Sequence, residues 1–261
     1  MSVTEMAPPG HLFDLTGRVA VVTGAARGLG LAAATSLVLH GASVAMFDVL
    51  GDELDAAVAK VQGVSGGVVG VSGSVTDDAD LARLADAAAA LGPVSVVVNC
   101  AGIIRRMDIE TMTADDLDAL WQVNVHGTVS VTQLFLPQMI GQGYGKVINV
   151  GSLGSVLGLE RRTAYATTKG AVAQYTVSLA SEVGRYGICA NVIAPGYVDT
   201  DMAGSYIHGE PERTARMLQR IPLGRFATPG DLAGTFVFLA SPASDYVTGQ
   251  VVLVDGGWTT T

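Results

Sequence analysis

Short runs of apolar, often β-branched residues alternate along the chain with longer segments rich in alanine and leucine. The short runs predict seven strands, at about 18–23, 43–48, 67–72, 94–99, 145–150, 187–193 and 250–254. The longer segments predict helices near 28–39, 52–62, 77–90, 113–139, 163–184 and 229–240. Strand runs that are apolar at nearly every position are typical of a parallel sheet covered on both faces.

The repeated strand–helix–strand order predicts an α/β, single-domain, doubly wound Rossmann fold with a seven-stranded parallel sheet flanked by helices. We expect this domain to span residues 13–261, after a flexible N-terminal arm over residues 1–12. Residues 199–224 are polar and interrupt the alternation, which predicts a helical insertion above the sheet that acts as a substrate lid.

Residues with capping chemistry mark several helix ends. Thr113, with Asp116 three residues on, and Thr228, with Asp231 three residues on, fit N-caps. Gly41 follows the first predicted helix at the place of a C-terminal glycine stop.

Composition narrows the class of protein. Of 261 residues, 49% are hydrophobic and 15% charged, which favours a large core over disorder. The net charge of −9 disfavours nucleic acid as a partner. The sequence shows neither an uninterrupted apolar run of membrane-spanning length, nor a secretory signal, nor a spacing of histidines that suits a metal. Two cysteines suggest a reducing, cytoplasmic setting.

A glycine-rich loop follows the first strand. Gly24, Gly28 and Gly30 have the spacing G-x-x-x-G-x-G, which lets the backbone approach a pyrophosphate at the start of the next helix. The alternative is a tight strand-to-helix turn without a ligand.

Asp48 ends the second strand and decides the predicted cofactor. A carboxylate there accepts hydrogen bonds from the adenine ribose and repels a 2′-phosphate, which favours NAD over NADP. Arg27 argues for NADP, but no Lys or Arg follows Asp48 in residues 49–51. A solvated strand end is the alternative for Asp48.

The fourth strand ends in the small residues of Asn99-Cys100-Ala101-Gly102, which leave room for a ligand at the carboxyl edge of the sheet. We interpret Cys100 as a buried small residue and not as a reactive thiol, because no His or second Cys is near it in sequence.

Tyr165 and Lys169 are four residues apart in a predicted helix and therefore lie on one face. An ammonium there lowers the pKa of the phenol and makes Tyr165 a general acid/base. A surface Tyr and Lys without a catalytic role are the alternative.

Ser152, just past the fifth strand, has a hydroxyl that can hold a substrate oxygen. Asn124, in an apolar helical stretch, either bridges a water to Lys169 or stabilises a local kink.

The ordered motifs TGAARGLG, NCAG, NVHG, Ser152, YATTK and Pro195-Gly196 together resemble the short-chain dehydrogenase/reductase family over nearly the whole chain. The resemblance implies a catalytic set of Asn124, Ser152, Tyr165 and Lys169, a homotetramer, and a nicotinamide carboxamide beside Val198 and Thr200. Two positions depart from the family pattern: Cys100 replaces an asparagine, and Ser74 stands where an aspartate usually contacts adenine. The cofactor-binding residues expected from the motifs and the resemblance are Gly24, Arg27, Gly28, Leu29, Gly30, Asp48, Ser74, Val75, Asn99, Ala101, Gly102, Tyr165, Lys169, Pro195, Gly196, Val198 and Thr200.

The implied reaction is hydride transfer between NAD(H) and a secondary alcohol or ketone. Arg105 and Arg106 follow the NCAG turn and can bind a carboxylate, or form a solvated pair or a subunit salt bridge. Residues 160–162 can add polar contacts. NCAGIIRR and the C-terminal segment look like sugar-acid dehydrogenases, so we expect a sugar acid or polyol that contacts Arg105, Arg106, Ser152 and Tyr165.

Three alternatives remain at this stage. A 3-oxoacyl thioester reductase would prefer NADPH and basic residues near the end of strand two. A methyltransferase would use a similar glycine loop but has no need of the Tyr165–Lys169 pair. A catalytically silent dinucleotide-binding protein would not need Ser152, Tyr165 and Lys169 together.

Overall fold

The computed structural model describes residues 11–64 and 67–261, so the arm predicted over residues 1–12 lies, except for its last two residues, outside the described residues. The strands are β1 (Val19–Thr23), β2 (Ser43–Asp48), β3 (Val68–Ser72), β4 (Val94–Asn99), β5 (Gly145–Val150), β6 (Ile188–Pro195) and β7 (Val251–Val254). They pair in parallel in the order β3-β2-β1-β4-β5-β6-β7. The predicted doubly wound seven-stranded sheet is confirmed.

The helices are α1 (Gly28–Leu39), α2 (Gly51–Gln62), α3 (Asp78–Leu91), α4 (Ala114–Trp121), α5 (Gly127–Gln142), α6 (Thr163–Val183), α7 (Asp201–His208), α8 (Pro211–Gln219) and α9 (Ala233–Ala240). None of the helices in the described part of the chain is long and apolar enough to cross a membrane.

Two hydrophobic clusters cover the sheet, because successive residues of a strand point to opposite faces. Val22 of β1 packs in the cluster that holds Leu37 of α1 and Phe236 of α9. Val21 packs in the other cluster, with Phe135 of α5. Because both faces of the sheet are buried, a ligand can bind at the open edge formed by the carboxyl ends of the strands.

The single helix predicted over 113–139 is wrong in one respect. A π-helical turn over Gln122–His126 separates α4 from α5, and it contains the fully buried Asn124. A π turn widens the helix by an extra residue, a change that apolar periodicity does not reveal.

The predicted capping residues are confirmed. Thr113 and Asp116 form a reciprocal capping box at the start of α4. Thr228 and Asp231 form a second one before α9. Gly41 has φ 96° and donates its N–H to the Val38 carbonyl, so α1 stops where a left-handed residue is required.

Residues 199–224, predicted as a helical insertion, contain α7 and α8. Ile207 and Met217 bury their side chains in a separate small cluster with Trp258 and Leu153. This cluster holds the two helices over the carboxyl ends of the strands beside β6.

Candidate active site

One cleft runs along the carboxyl edge of the sheet, across β1 and β4, where the direction of winding reverses. It is lined at one end by the glycine loop, Asp48 and Ser74, and at the other by Ser152, Tyr165 and residues of α7. A crevice at this switch point is the usual ligand site of doubly wound sheets. Of the residues expected to bind cofactor, Asn99 does not line this cleft, and the others do.

The glycine loop is shaped for the close approach of an anion. Gly24 and Gly28 have φ angles of 65° and 55°, a left-handed conformation that side chains disfavour. A Cβ at Gly30 would overlap the carbonyl of Gly24, and one at Gly24 would lie 2.8 Å from the Ala101 nitrogen. The first turn of α1 begins at Gly28, so its N–H groups face the cleft as donors for a pyrophosphate. These residues fit a dinucleotide.

The Asp48 carboxylate is held in place by two backbone donors. Oδ2 accepts from the N–H of Ala26 at 3.0 Å, and Oδ1 accepts from the N–H of Leu50 at 3.1 Å. The acid is thus fixed between the glycine loop and the start of α2. Arg27 lies between two other acids: its Nη1 is 3.6 Å from Glu53 and 3.6 Å from Asp201.

Ser74 and Asn99 differ in their placement. Ser74 lines the cleft, with its backbone N–H donating to Asp80 at 2.8 Å and its hydroxyl bonded to Thr76 at 2.8 Å. Asn99 is buried, and its Nδ2 donates to Thr132 at 2.9 Å and to Asn149 at 2.8 Å. The side chain of Asn99 therefore links β4 to β5 and α5 inside the core.

Ser152, Tyr165 and Lys169 meet on one wall of the cleft. Lys169 Nζ lies 5.9 Å from the centre of the Tyr165 ring and donates to the carbonyl of Val150 at 2.8 Å. The Ser152 Oγ accepts from the N–H of Gly154 at 3.1 Å at a tight turn after β5. Strand β5 and helix α6 therefore bring together three groups that lie up to 17 residues apart in sequence.

The pKa of Tyr165 moves in the opposite direction to the sequence-based expectation. Burial raises it, and this effect outweighs the hydrogen bond with Ser152 and the positive charges of Arg162 and Arg106, which lower it. Burial also lowers the pKa of Lys169 from 10.5 to about 8. A phenol and an amine in one apolar pocket each favour the neutral form until a further charge enters the site.

Asn124 joins the π turn to the loop that follows β4. Its Oδ1 accepts from the N–H of Ile103 at 2.8 Å, and its Nδ2 donates to the carbonyl of Ile103 at 3.0 Å and to Thr168 at 3.0 Å. A Cβ at Gly102 would lie 3.2 Å from Asn124 Oδ1 and 3.5 Å from Lys169 Nζ, so the amide and the ammonium share one side of Gly102. Asn124 lies in the π turn, a local distortion of the helix, which agrees with the interpretation that it stabilises a kink.

The neighbouring Arg105 and Arg106 separate. Arg105 is exposed and forms an ion pair of 2.6 Å with Asp116, outside the cleft. Arg106 lines the cleft, and so does Arg162, which is 8% exposed. Tyr197, which the sequence reasoning did not single out, completes this end, and the Arg162 Nη2 donates to its hydroxyl at 3.0 Å. The sequence signal that could have identified Tyr197 as a cleft residue is its position within the Pro195–Thr200 stretch.

Cys100 lines the cleft as a thiol whose pKa burial raises to about 12. A thiol with so high a pKa is not a nucleophile at neutral pH. Cys100 and Cys189 are not joined by a disulfide.

A glycine cradle, an acid at the end of β2 and a Ser–Tyr–Lys wall on a doubly wound sheet define a nucleotide-dependent oxidoreductase. A family model described as Enoyl-(Acyl carrier protein) reductase matches residues 24–259. The chain belongs to the short-chain dehydrogenase/reductase family. This membership leaves the methyltransferase alternative without support.

Curated relatives include enzymes of two different substrate classes. A gluconate 5-dehydrogenase of Gluconobacter oxydans is 38% identical over 252 residues, which cover 95% of this chain and 97% of the relative. A 3-oxoacyl-(acyl-carrier-protein) reductase of Thermotoga maritima is 37% identical over 245 residues, which cover 93% and 98%.

Solved structures with the same fold include sugar-acid enzymes. A gluconate 5-dehydrogenase of Burkholderia cenocepacia in complex with NADP and tartrate has a TM-score of 0.92 and 34% identity, covering 97% of this chain and 100% of that one. A protein of Agrobacterium tumefaciens described as a 2-deoxy-D-gluconate 3-dehydrogenase, with bound NADP, has a TM-score of 0.86 and 37% identity, covering 96% and 99%. The sequence-based resemblance to sugar-acid dehydrogenases is confirmed.

Proposed function

We propose that this chain is an NAD(H)-dependent oxidoreductase that interconverts a secondary alcohol and a ketone on a sugar acid or polyol, with Tyr165 as the general acid/base. The observation that carries the proposal is the meeting of Ser152, Tyr165 and Lys169 on the wall of the cleft that the glycine cradle also lines. Bound nicotinamide supplies or accepts a hydride at the reacting carbon.

The protein's part in the reaction is positioning and proton transfer. The Ser152 hydroxyl orients the substrate oxygen beside the phenol. The Tyr165 hydroxyl gives its proton to that oxygen in reduction and takes it back in oxidation. The Lys169 ammonium stabilises the phenolate that this transfer produces, and Asn124 holds the Ile103 loop against the same wall.

The preference for NAD rests on charge at the adenosine end. The Asp48 carboxylate lines this end of the cleft, where its charge would repel a 2′-phosphate. Arg27 would have to leave Glu53 and Asp201 before it could bind that phosphate. Two of the similar solved structures contain NADP, so the preference of this protein for NAD or NADP is the first property to measure.

A 3-oxoacyl thioester reductase is the second candidate, favoured by the relative from Thermotoga maritima and by apolar lining residues. Leu153, Leu159 and Met202 line the substrate end and could contact an acyl chain.

The test is a cross of substrates and nucleotides, followed by absorbance of the reduced cofactor. Sugar acids and polyols are offered with NAD⁺ and with NADP⁺, and an acetoacetyl thioester is offered with NADH and with NADPH. We expect turnover of a sugar acid or polyol with kcat/KM at least tenfold higher for NAD⁺. Thioester reduction that prefers NADPH, without turnover of any sugar acid or polyol, would transfer the assignment to the second candidate.

Assembly as a homotetramer is part of the proposal. The edge strand β7 leaves Leu253 38% exposed and Val251 and Val252 partly exposed, which suits contact with a second copy. Sedimentation of the purified protein should give four times the 26.7 kDa chain mass. A cytoplasmic location, proposed from the two unpaired thiols, is tested by fractionation of the source cells.

A further inference from the structure

Two arginines at the substrate end of the cleft lack a carboxylate partner. No ion pair joins Arg106 or Arg162 to an acid within residues 11–64 and 67–261, whereas Arg105 and Arg161 beside them each have one. Arg162 is 8% exposed, and the buried Nε of Arg106 has no hydrogen-bond partner. A buried guanidinium without a counter-charge is costly, so Arg162 and the buried Nε of the partly exposed Arg106 favour an anion at this end of the cleft.

Aromatic rings, and not acids, surround the two guanidiniums. The Tyr206 ring of α7 lies 4.6 Å from Arg106 and 5.1 Å from Arg162, measured from each guanidinium carbon to the ring centre. The Tyr197 ring lies 5.7 Å from Arg162. Ring faces hold a cation in place without using its N–H groups, so those of Arg162 that do not donate to the Tyr197 hydroxyl or the Glu160 carbonyl can bind a ligand.

The two loops that carry the pair are fastened to each other. The N–H of Met107 donates to the carbonyl of Arg161 at 2.9 Å, and Arg161 forms an ion pair of 3.0 Å with Asp108. Arg161 has φ 59°, a left-handed conformation that is strained for a residue with a side chain. The chain therefore holds a strained backbone immediately before Arg162, at the point where it enters the cleft.

We propose that Arg106 and Arg162 together bind the carboxylate of the substrate, so that the enzyme acts on hydroxy and oxo acids and discriminates against neutral polyols. The inference rests on the proposed function and narrows its substrate class. Arg106, Arg162 and Tyr165 line the same cleft, so one small molecule can place its carboxylate at the arginines and its reacting oxygen at the phenol. Two planar guanidinium forks suit the two oxygens of a carboxylate.

Binding without turnover tests this pair directly. Calorimetric titrations in the presence of saturating NADH, which cannot oxidise an alcohol, compare each acid with its neutral alcohol: gluconate with glucitol, xylonate with xylitol, and tartrate with threitol. We expect at least one acid to bind ten- to a hundredfold more tightly than its alcohol, on the order expected for charge-assisted hydrogen bonds. Inorganic phosphate, as a separate arm, should not displace that acid at equal concentration.

Substitutions then locate the preference. Arg106→Gln and Arg162→Gln should each abolish it, while Arg105→Gln, the adjacent exposed arginine, should leave it unchanged. Arg162→Lys keeps the positive charge but loses the planar fork, so it should retain part of the preference for acids. It also tests the site if Arg162→Gln does not fold.

Equal binding of acids and alcohols, tighter binding of phosphate, or a preference that survives in either Gln variant would overturn the paired site. Turnover of neutral polyols alone would overturn it and leave the proposed function standing. Failure of every alcohol to reduce the nucleotide would refute the proposed function, whatever the acid preference.

Discussion

The Nζ of Lys169 donates a hydrogen bond of 2.8 Å to the carbonyl oxygen of Val150, the last residue of β5. This bond ties the middle of α6 to the end of a central strand and sets the ammonium 5.9 Å from the centre of the Tyr165 ring. The Lys169 amine is thus positioned by the backbone in a buried part of this wall.

Replacement of Lys169 by Met should change how stability depends on pH. The buried ammonium has a pKa of about 8 in place of 10.5, so between these two values the unfolded chain binds more protons than the folded one, and wild-type stability rises with pH. Relative to Lys169→Met, the wild type should gain about 3 kcal/mol in free energy of unfolding between pH 7.5 and pH 11. Urea unfolding of the nucleotide-free proteins measures this, and a difference that stays constant with pH would contradict it.

Tyr165→Phe should lower kcat by 10²- to 10⁴-fold, because it removes the proton donor and leaves the ring in place. The dissociation constant for nucleotide, measured by fluorescence, should change less than threefold. Tyr246→Phe is the matched control, since Tyr246 is fully exposed and does not line the cleft. Undiminished turnover in Tyr165→Phe would refute the role given to this phenol.

Asp48→Asn should shift the nucleotide preference toward NADP. The substitution keeps the size of the side chain and removes the charge that repels a 2′-phosphate, but its single oxygen can accept from only one of the two N–H groups of Ala26 and Leu50. We expect the ratio of kcat/KM for NAD⁺ to that for NADP⁺ to fall about tenfold or more, corresponding to roughly 1.4 kcal/mol. Asp52→Asn, a neighbouring acid of α2 that does not line the cleft, serves as the control and should leave the ratio unchanged.

Gly30→Ala should disrupt the glycine cradle. The new Cβ would overlap the backbone carbonyl of Gly24, which cannot move without displacing β1. We expect a loss of about 2 kcal/mol or more of stability and at least tenfold weaker nucleotide binding. Gly141→Ala has open space around it near the end of α5 and should instead stabilise the protein by about 0.5–1 kcal/mol. Thermal unfolding of both variants with and without nucleotide separates the two effects.

The elements that were predicted well have a strong local signal. Each strand is a short run of mostly apolar residues, and Thr113, Thr228 and Gly41 mark helix ends by hydrogen bonds within a few residues. The π turn around Asn124 has no such signal, since its extra residue is stabilised by a contact with Ile103 from a distant loop.

The site was predictable wherever a motif carries its own geometry. The glycine spacing and the i,i+4 pair of Tyr165 and Lys169 are local patterns. The positions of the adjacent Arg105 and Arg106 could not be predicted from the sequence. Arg105 pairs with Asp116 at the surface, whereas Arg106 lines the cleft and packs against the ring of Tyr206 in α7.

By itself, the sequence determined the sheet, the nucleotide cradle and the Ser–Tyr–Lys set, because these follow from periodicity and from spacings of a few residues. Only the tertiary structure decided which arginines face the substrate, and whether burial or the neighbouring charges control the pKa of Tyr165. Burial and pairing of charge depend on which distant segments pack together, and that information is distributed over the whole chain.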